Sequence, residues 1–442
     1  DALEGYRRLC RKVDQDPALG PDGALRRLFL TPSLFDPVAN LAIVVNATSL
    51  RFVLWIDVLR RLLRRWAPGL RADAEVLLGS GSEGVLSAEM GRGIWALAEE
   101  AKRSPHAREI LMGHAPERAL AALRQEPQAR GFLDGLERFL ATNGHRAIKE
   151  FELRSVRWEE DPAPVLGMVR NYLLIESDPA AQERKTAEAR AELILELRRR
   201  LEALPLERLL GLRFRLVRFV AERVKYLFKL RENSRFYHIM TFGTVRKKVL
   251  RIEADLLRAG KLRCKDDIFF LRSEELAGMQ AGRLGWLDVE DRIRDRRIGH
   301  IRLCKMGPPK TIGFELPRRQ PQGGPAAEGA LLAGQSASPG QYEGSARVIL
   351  DPSLDLELRP GEVLVAPYTD PAWTPLFLTA GAAVVEIGSY LSHAGTVARE
   401  FGLPCVVDVA EATQRIRSGD RIAVDGDRGA VRILGGDAER PS

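Results

Sequence analysis

Apolar residues recur at spacings of three and four through most of the first 315 residues, the period of helices with one buried face. The clearest case is "LRFRLVRFVAERVKYLFKLREN", Leu212–Asn233, where arginine and lysine fill the intervening positions. "AEARAELILELRRRLEAL", Ala187–Leu204, repeats the pattern, and Pro205 is expected to break the chain between the two helices. The helical period continues through "FYHIMTFGTVRKKVLRIEADLLRAGKL", with Gly260 as its stop. After the short apolar run "DDIFFL", Ser273 is the expected N-cap of a further helix. The longest apolar stretch, Leu41–Ile56, contains Asn46, Thr48, Ser49 and Arg51. It falls short of the ~20 apolar residues of a membrane span and reads as a buried helix or strand.

The texture changes at "PRRQPQGGPAAEGALLAGQSASPGQ", which is rich in Pro, Gly, Gln, Ala and Ser. This is the composition of a linker, assigned to residues 317–336. Short apolar runs separated by turn residues follow it. "EGSARVIL", "EVLVAP", "AAVVEIG" and "PCVVDV" read as strands, and "SGDRIAVDGDRGAVRIL" reads as a hairpin. The expected organisation is therefore multi-domain: a mainly α-helical domain over 1–316, the linker, and a compact α/β domain over 337–442.

Charge sharpens this division. The chain carries a net charge of +8, yet residues 331–442 hold nine Arg, no Lys and fifteen Asp or Glu, a net of −6. The preceding residues therefore carry +14. No nucleic-acid motif accompanies the basic part, so a nucleic-acid partner is not expected. The four cysteines are far apart, with no CxxC pair, and no metal-ligand pattern is expected. A reducing, cytoplasmic setting fits them. The chain opens on Asp1 without a visible leader, which leaves open a missing N-terminal part.

One histidine stands apart. His393 lies in "GSYLSHAGTVAREFGLPCVVDV", after a Gly/Ser turn and at the start of a helical pattern. With Ser392 as N-cap, it falls in the first helical turn. Unpaired N–H groups and the positive end of the helix dipole are found there. A phosphoryl group on the imidazole would meet a ready anion site. Gly388 would let the strand turn, Gly395 would leave the near face open, and Thr396 and Arg399 would add donors. Spacing alone leaves two readings, a histidine that caps a helix and a reactive one.

The segment resembles the phosphohistidine signature of the mobile, swivelling domain of phosphoenolpyruvate-utilising enzymes. Ser389 stands where that family commonly has a second Gly, and Cys405 where it usually has Ala. "ASPGQYEGSARVILDP", "PGEVLVAPYTDPAWTPLF" and "AAVVEIG" extend the similarity over about residues 333–435. The resemblance implies that His393 carries phosphate between two sites on a hinged domain. It also implies that "TDPAWTPLF" packs near the histidine loop. A helical domain followed by the His domain is similar to the order in the rifampicin phosphotransferase family, where the helical part binds the acceptor.

Within the helical part, "NGHRAIKEFELRSVRWEEDP" and "RENSRFY" resemble stretches of that family. His145 and Arg146 are substrate-domain candidates on this basis. Arg231 and Arg235 are four apart on a helix and would face one phosphate together, with Glu232 orienting a guanidinium or acting as a base. The family has Lys where Arg235 stands. No Gly-rich phosphate loop is visible. ATP and Mg2+ are therefore expected on an ATP-grasp domain, missing in cis or supplied in trans. The function implied is a dikinase-like phosphotransferase passing a phosphoryl group from ATP through His393 to a small-molecule acceptor, with no membrane partner. The alternatives are an ATP-dependent condensing enzyme using the same phosphohistidine and a non-catalytic binding protein with a degenerate His domain.

Overall fold

The computed structural model describes residues 2–18, 20–21, 23–24, 41–70, 74–79, 84–174, 179–203, 210–306, 327–352, 358–370, 373–390 and 392–436. The expected break at Pro205, the linker residues 317–326 and the extreme C-terminus from 437 lie outside them.

The helical region runs α1 (Ala2–Gln15), α2 (Leu41–Trp66), α3 (Ala74–Gly79), α4 (Leu86–Arg103), α5 (Pro105–Gly113), α6 (Pro116–Gln125), α7 (Arg130–Asn143), α8 (Ala163–Leu173), α9 (Pro179–Glu202), α10 (Leu212–Arg258), α11 (Ser273–Gln280) and α12 (Trp286–Lys305). The apolar run from Leu41 is thus helix, not strand. Gly260, at φ +67°, follows the end of α10 as expected. The start of α11 differs from the sequence reading: Arg272 is the N-cap, and Glu275 accepts its backbone N–H at 2.8 Å. Ser273 is already the first helical residue.

These helices do not form one domain over 1–316. The chain divides into two compact units, and α10 supplies residues to both. The first unit comprises Asp1–Ile43, Glu150–Val156 and Tyr237–Gln322. It is knit by ion pairs from Glu275 to Arg292 and Arg296, at 3.0 and 2.6 Å, and from Asp267 to Arg297 at 2.5 Å. The paired arginines hold the Glu275 carboxyl down at about 2. A cavity of about 400 Å³ in this unit is lined by Leu153, Val245, Val249, Ile268, Phe269 and Leu276 among others. None of the sequence-predicted site residues lines it.

The second unit comprises Val44–Lys149, Arg157–Phe236 and Gly323–Ser442, so the histidine domain groups with most of α2, with α3 to α9 and with the first half of α10. The sequence reading missed this because the units are assembled from segments distant in the chain.

The C-terminal part of this unit contains β1 (Leu331–Ala333), β2 (Gln335–Ser338), β3 (Gln341–Val348), β4 (Val363–Ala366), α13 (Thr374–Thr379), β5 (Ala382–Val385), α14 (His393–Phe401), β6 (Cys405–Val407), α15 (Ala412–Arg415), β7 (Asp420–Asp425) and β8 (Ala430–Gly436). The sheet order is β1-β8-β7-β3-β4-β5-β6-β2. β3 through β6 pair in parallel, and the remaining pairs are antiparallel. The central strands read "VLVA" and "AAVV", buried at every position, as parallel strands covered on both faces must be.

One expectation fails here. β1 and much of β2 lie inside residues assigned to the linker, so the folded domain starts earlier than 337. These two strands occupy opposite ends of the sheet order, yet only Gly334 separates them. The sheet therefore curls until its two ends meet. Gly334 N–H donates to Gly429 O across that junction. A Cβ on Gly334 would stand 2.6 Å from Val407 O, which restricts the position to glycine.

Candidate active site

The site begins where β5 ends. The chain passes through Gly388 and Ser389 to Ser392, whose N–H donates to Ser389 O at 2.8 Å, and enters α14 at His393. A Cβ on Gly388 would lie 3.1 Å from both Ser392 Oγ and Val407 Cβ, so this turn is tight. Ser389 is exposed and has no positive φ. Its side chain therefore sits in open surroundings, and its departure from the family pattern does not fill the loop.

Ser392 is the N-cap by backbone geometry, but its side chain makes no capping bond. Its Oγ is buried and without a hydrogen-bond partner among the described residues. Gly395 does not leave an open face, because a Cβ there would stand 2.8 Å from Tyr390 O. Its role is to let the loop carbonyl pass close to the helix. Arg399 turns one guanidinium nitrogen toward backbone carbonyls. Its Nη1 donates to Ala337 O at 2.6 Å and Tyr390 O at 2.8 Å, and its guanidinium lies 4.4 Å from the Tyr390 ring centroid. Arg399 fastens the loop. Thr396 is buried, and its N–H bonds to Ser392 O at 3.0 Å.

His393 is half-buried. Its Nδ1 lies 3.2 Å from Thr369 Oγ1, and its Nε2 lies 3.2 Å from Thr374 Oγ1. The edge of Phe377 meets the ring at a centroid distance of 6.1 Å. The two threonines come from "TDPAWTPLF", which therefore does pack against the histidine loop. Trp373 of the same segment is buried in the domain core. The sequence reading placed this segment but did not single out its hydroxyls.

Desolvation drives the His393 pKa well below the ordinary imidazole value, and the charges of Arg235 and then Arg146 drive it further. The ring is therefore neutral near pH 7. A neutral imidazole has one donor and one acceptor nitrogen, and a hydroxyl serves either role. One ring nitrogen of the neutral imidazole accordingly keeps a lone pair.

The helical residues of the unit divide differently from expectation. Arg235 is half-buried and its charge reaches His393. Arg231 lies with its guanidinium 5.7 Å from the Phe52 ring centroid and its Nη1 3.9 Å from Glu232 Oε1. The second cation acting on His393 is Arg146 instead. Arg146 is only 1% exposed, and its guanidinium lies 5.6 Å from the Phe236 ring centroid. His145 meets the same ring edge-on at 4.6 Å. Asn233, unremarked in the sequence, sits inside "RENSR". It accepts Leu86 N–H and donates to Gly84 O, both at 2.9 Å, which ties α10 to the start of α4.

Among the described residues, no group of three His, Cys, Asp or Glu side chains is placed to hold a metal ion. No helix among the described residues is long and apolar enough to cross a membrane.

Comparison with known proteins gives two family matches and several relatives. Residues 358–429 match the family of the PEP-utilising enzyme mobile domain, and residues 42–232 match the rifampicin phosphotransferase fourth domain. The chain belongs to the phosphoenolpyruvate-utilising enzyme family through its mobile domain. It is 32% identical over 439 residues to a rifampicin phosphotransferase from Streptomyces sviceus, covering 93% of this chain and 48% of the relative. It is 28% identical over 406 residues to a rifampicin phosphotransferase from Bacillus subtilis, covering 91% of this chain and 45% of the relative. It is also 32% identical over 391 residues to the prodigiosin synthesizing transferase PigC of Serratia marcescens, covering 86% of this chain and 42% of the relative. The chain thus spans less than half the length of each of these relatives.

Proposed function

We propose that this chain is the phosphocarrier and acceptor-side part of a dikinase-like phosphotransferase, with His393 as the carrier. The observation that carries this reading is the neutral His393 ring, gripped by two threonine hydroxyls and influenced by two guanidinium groups. An imidazole in this setting is nucleophilic, and the cations around it favour the anionic product of phosphorylation.

In the first step a ring nitrogen attacks phosphorus of ATP, bound on an ATP-grasp domain in cis or in trans. A P–N bond forms, the P–O bond to the nucleotide breaks, and the nucleotide leaves with that electron pair. In the second step the hydroxyl or carboxylate oxygen of a small molecule attacks the same phosphorus. The P–N bond breaks, its electron pair returns to the imidazole, and any hydroxyl proton passes to a base. Glu232 is placed on the same helix as Arg235 and is our candidate for orienting a guanidinium or taking that proton. Mg2+ would neutralise nucleotide phosphates on the ATP-binding domain. Four free cysteines fit a cytoplasmic setting. The rifampicin phosphotransferase relatives make rifampicin the first acceptor to try.

A second reading is favoured by the equal identity to a prodigiosin synthesizing transferase. There the phosphoryl group would activate a carbonyl or carboxyl oxygen, which leaves as inorganic phosphate when a second molecule condenses.

The test combines the chain with its cognate ATP-binding domain, ³²P-labelled ATP and rifampicin. Label that is acid-labile and base-stable on the protein, and then stable in the product, supports the phosphotransferase. Label released as inorganic phosphate together with a condensed product supports the second reading. No label on the protein rejects both.

A further inference from the structure

The turn between α7 and α8 brings two cations to the histidine domain. Arg146, the first, is almost completely buried, and its Nη1 points at Met90 Sδ at 2.7 Å. Holding a full charge at this depth is costly. The residue after Met90 is Gly91, where a methyl group would stand 3.9 Å from Thr374 Cγ2. Thr374 carries the hydroxyl at His393 Nε2. The Met90–Gly91 stretch of α4 thus links Arg146 to the Thr374–His393 pair. The second cation, Lys149, pairs with Asp351 of the histidine domain at 2.8 Å. Lys149 has φ +57°, a conformation that costs a lysine energy, so the turn is held in a defined shape where it meets that domain. α13 packs on α8 and α14 on α9, which makes the meeting extensive.

We infer that the Gly144–Lys149 turn is the receiving surface for the phosphorylated histidine domain. Arg146 joins Arg235 in holding the phosphoryl group on His393, and the Lys149–Asp351 pair fixes the domain in that position. The inference rests on the phosphocarrier reading and adds which cations receive the group. It gives the second guanidinium to Arg146 rather than to Arg231, which is engaged with Phe52 and Glu232.

The same charges act in opposite directions before and after loading. They oppose a proton on the empty ring, and they attract the dianion once the ring carries a phosphoryl group. The surface therefore prefers the loaded domain and releases it when the P–N bond breaks and the electron pair returns to the ring. A solvent-exposed ion pair such as Lys149–Asp351 is weak, which suits a contact that opens in every cycle.

The test uses the full chain with potassium phosphoramidate, which phosphorylates a histidine nitrogen and leaves ammonia, followed by ³¹P NMR titration. Wild type should give a phosphohistidine resonance that His393→Ala lacks. Arg146→Gln should raise the titration midpoint of that phosphoryl group by roughly one pH unit. Arg146→Lys should restore most of the shift, and Arg231→Gln should leave the midpoint in place. Lys149→Asp and Asp351→Lys should each move the midpoint toward the Arg146→Gln value, and the paired swap should return it. If Arg146→Gln fails to fold, the two surface variants and their swap decide. A midpoint indifferent to Arg146→Gln, or to Lys149→Asp and the swap, overturns the inference while His393 remains a phosphocarrier. Absence of any phosphohistidine resonance in wild type overturns both readings.

Discussion

Thr374 and His393 face each other with Oγ1 and Nε2 3.2 Å apart, while Thr369 Oγ1 holds Nδ1 from the other side at the same distance. The two hydroxyls fix the plane of the ring and, because each can donate or accept, do so without choosing a tautomer. A ring held in this way keeps one orientation of its plane.

The first prediction concerns that grip. Thr374→Val removes one hydrogen bond worth about 1 kcal/mol and leaves the side-chain volume nearly unchanged. The rate of phosphohistidine formation should fall by roughly fivefold, and Thr374→Ser should restore most of it. Rapid-quench measurement of label uptake checks this. An equal loss in the Ser and Val variants would mean that packing, not the hydroxyl, sets the rate.

The pH dependence follows from the depressed pKa of His393. Label uptake should stay level as pH falls through 6.5, the ordinary imidazole value, and decline only at more acidic pH. Arg235→Gln removes an opposing charge, so its acid limb should move toward neutrality. The folded ring binds a proton less readily than the unfolded one, so this group lowers stability as pH drops from about 6.5 toward the depressed folded value. Uptake profiles and melting temperatures measured across pH 4 to 8 test both statements.

Much of this site was legible in the sequence. The helix beginning at His393, the strand before it and the hairpin near the end all fall where residue pattern placed them. β1 and β2 were hidden because their composition is that of a linker, and their burial comes from closing the sheet rather than from apolar alternation. The bonds from Arg399 to Ala337 O and Tyr390 O were not legible, because backbone acceptors carry no motif. The sequence marks Arg146 only as a substrate-domain candidate. Its influence on His393 depends on the fold bringing two segments together across some 250 positions of chain.

Gly395→Ala should destabilise the histidine domain, because the added methyl would stand 2.8 Å from Tyr390 O, with Arg399 Nη1 3.0 Å away. Overpacking of this kind costs about 1–3 kcal/mol. The melting temperature should fall by several degrees, and Ser389→Gly, at an exposed position, should leave it within about one degree. Differential scanning calorimetry of the two variants makes the comparison. A larger loss in Ser389→Gly would contradict the loop geometry.

Arg399→Met should act on the loop rather than on the phosphoryl group. It removes two charge-assisted bonds to carbonyl oxygens, each worth about 1.5–3 kcal/mol. Faster amide exchange around Tyr390 and a lower melting temperature are expected, with label uptake reduced in proportion to the folded fraction. A variant that keeps its stability yet loses uptake would assign Arg399 to the chemistry.

The most direct measurement is the identity of the labelled atom. The chain is incubated with its ATP-binding domain and ³²P-labelled ATP, digested under alkaline conditions, and the labelled peptide is sequenced by mass spectrometry. The phosphocarrier account predicts one acid-labile, base-stable phosphate on His393 and none in His393→Ala. Label on any other residue, or equal labelling of the variant, would contradict it.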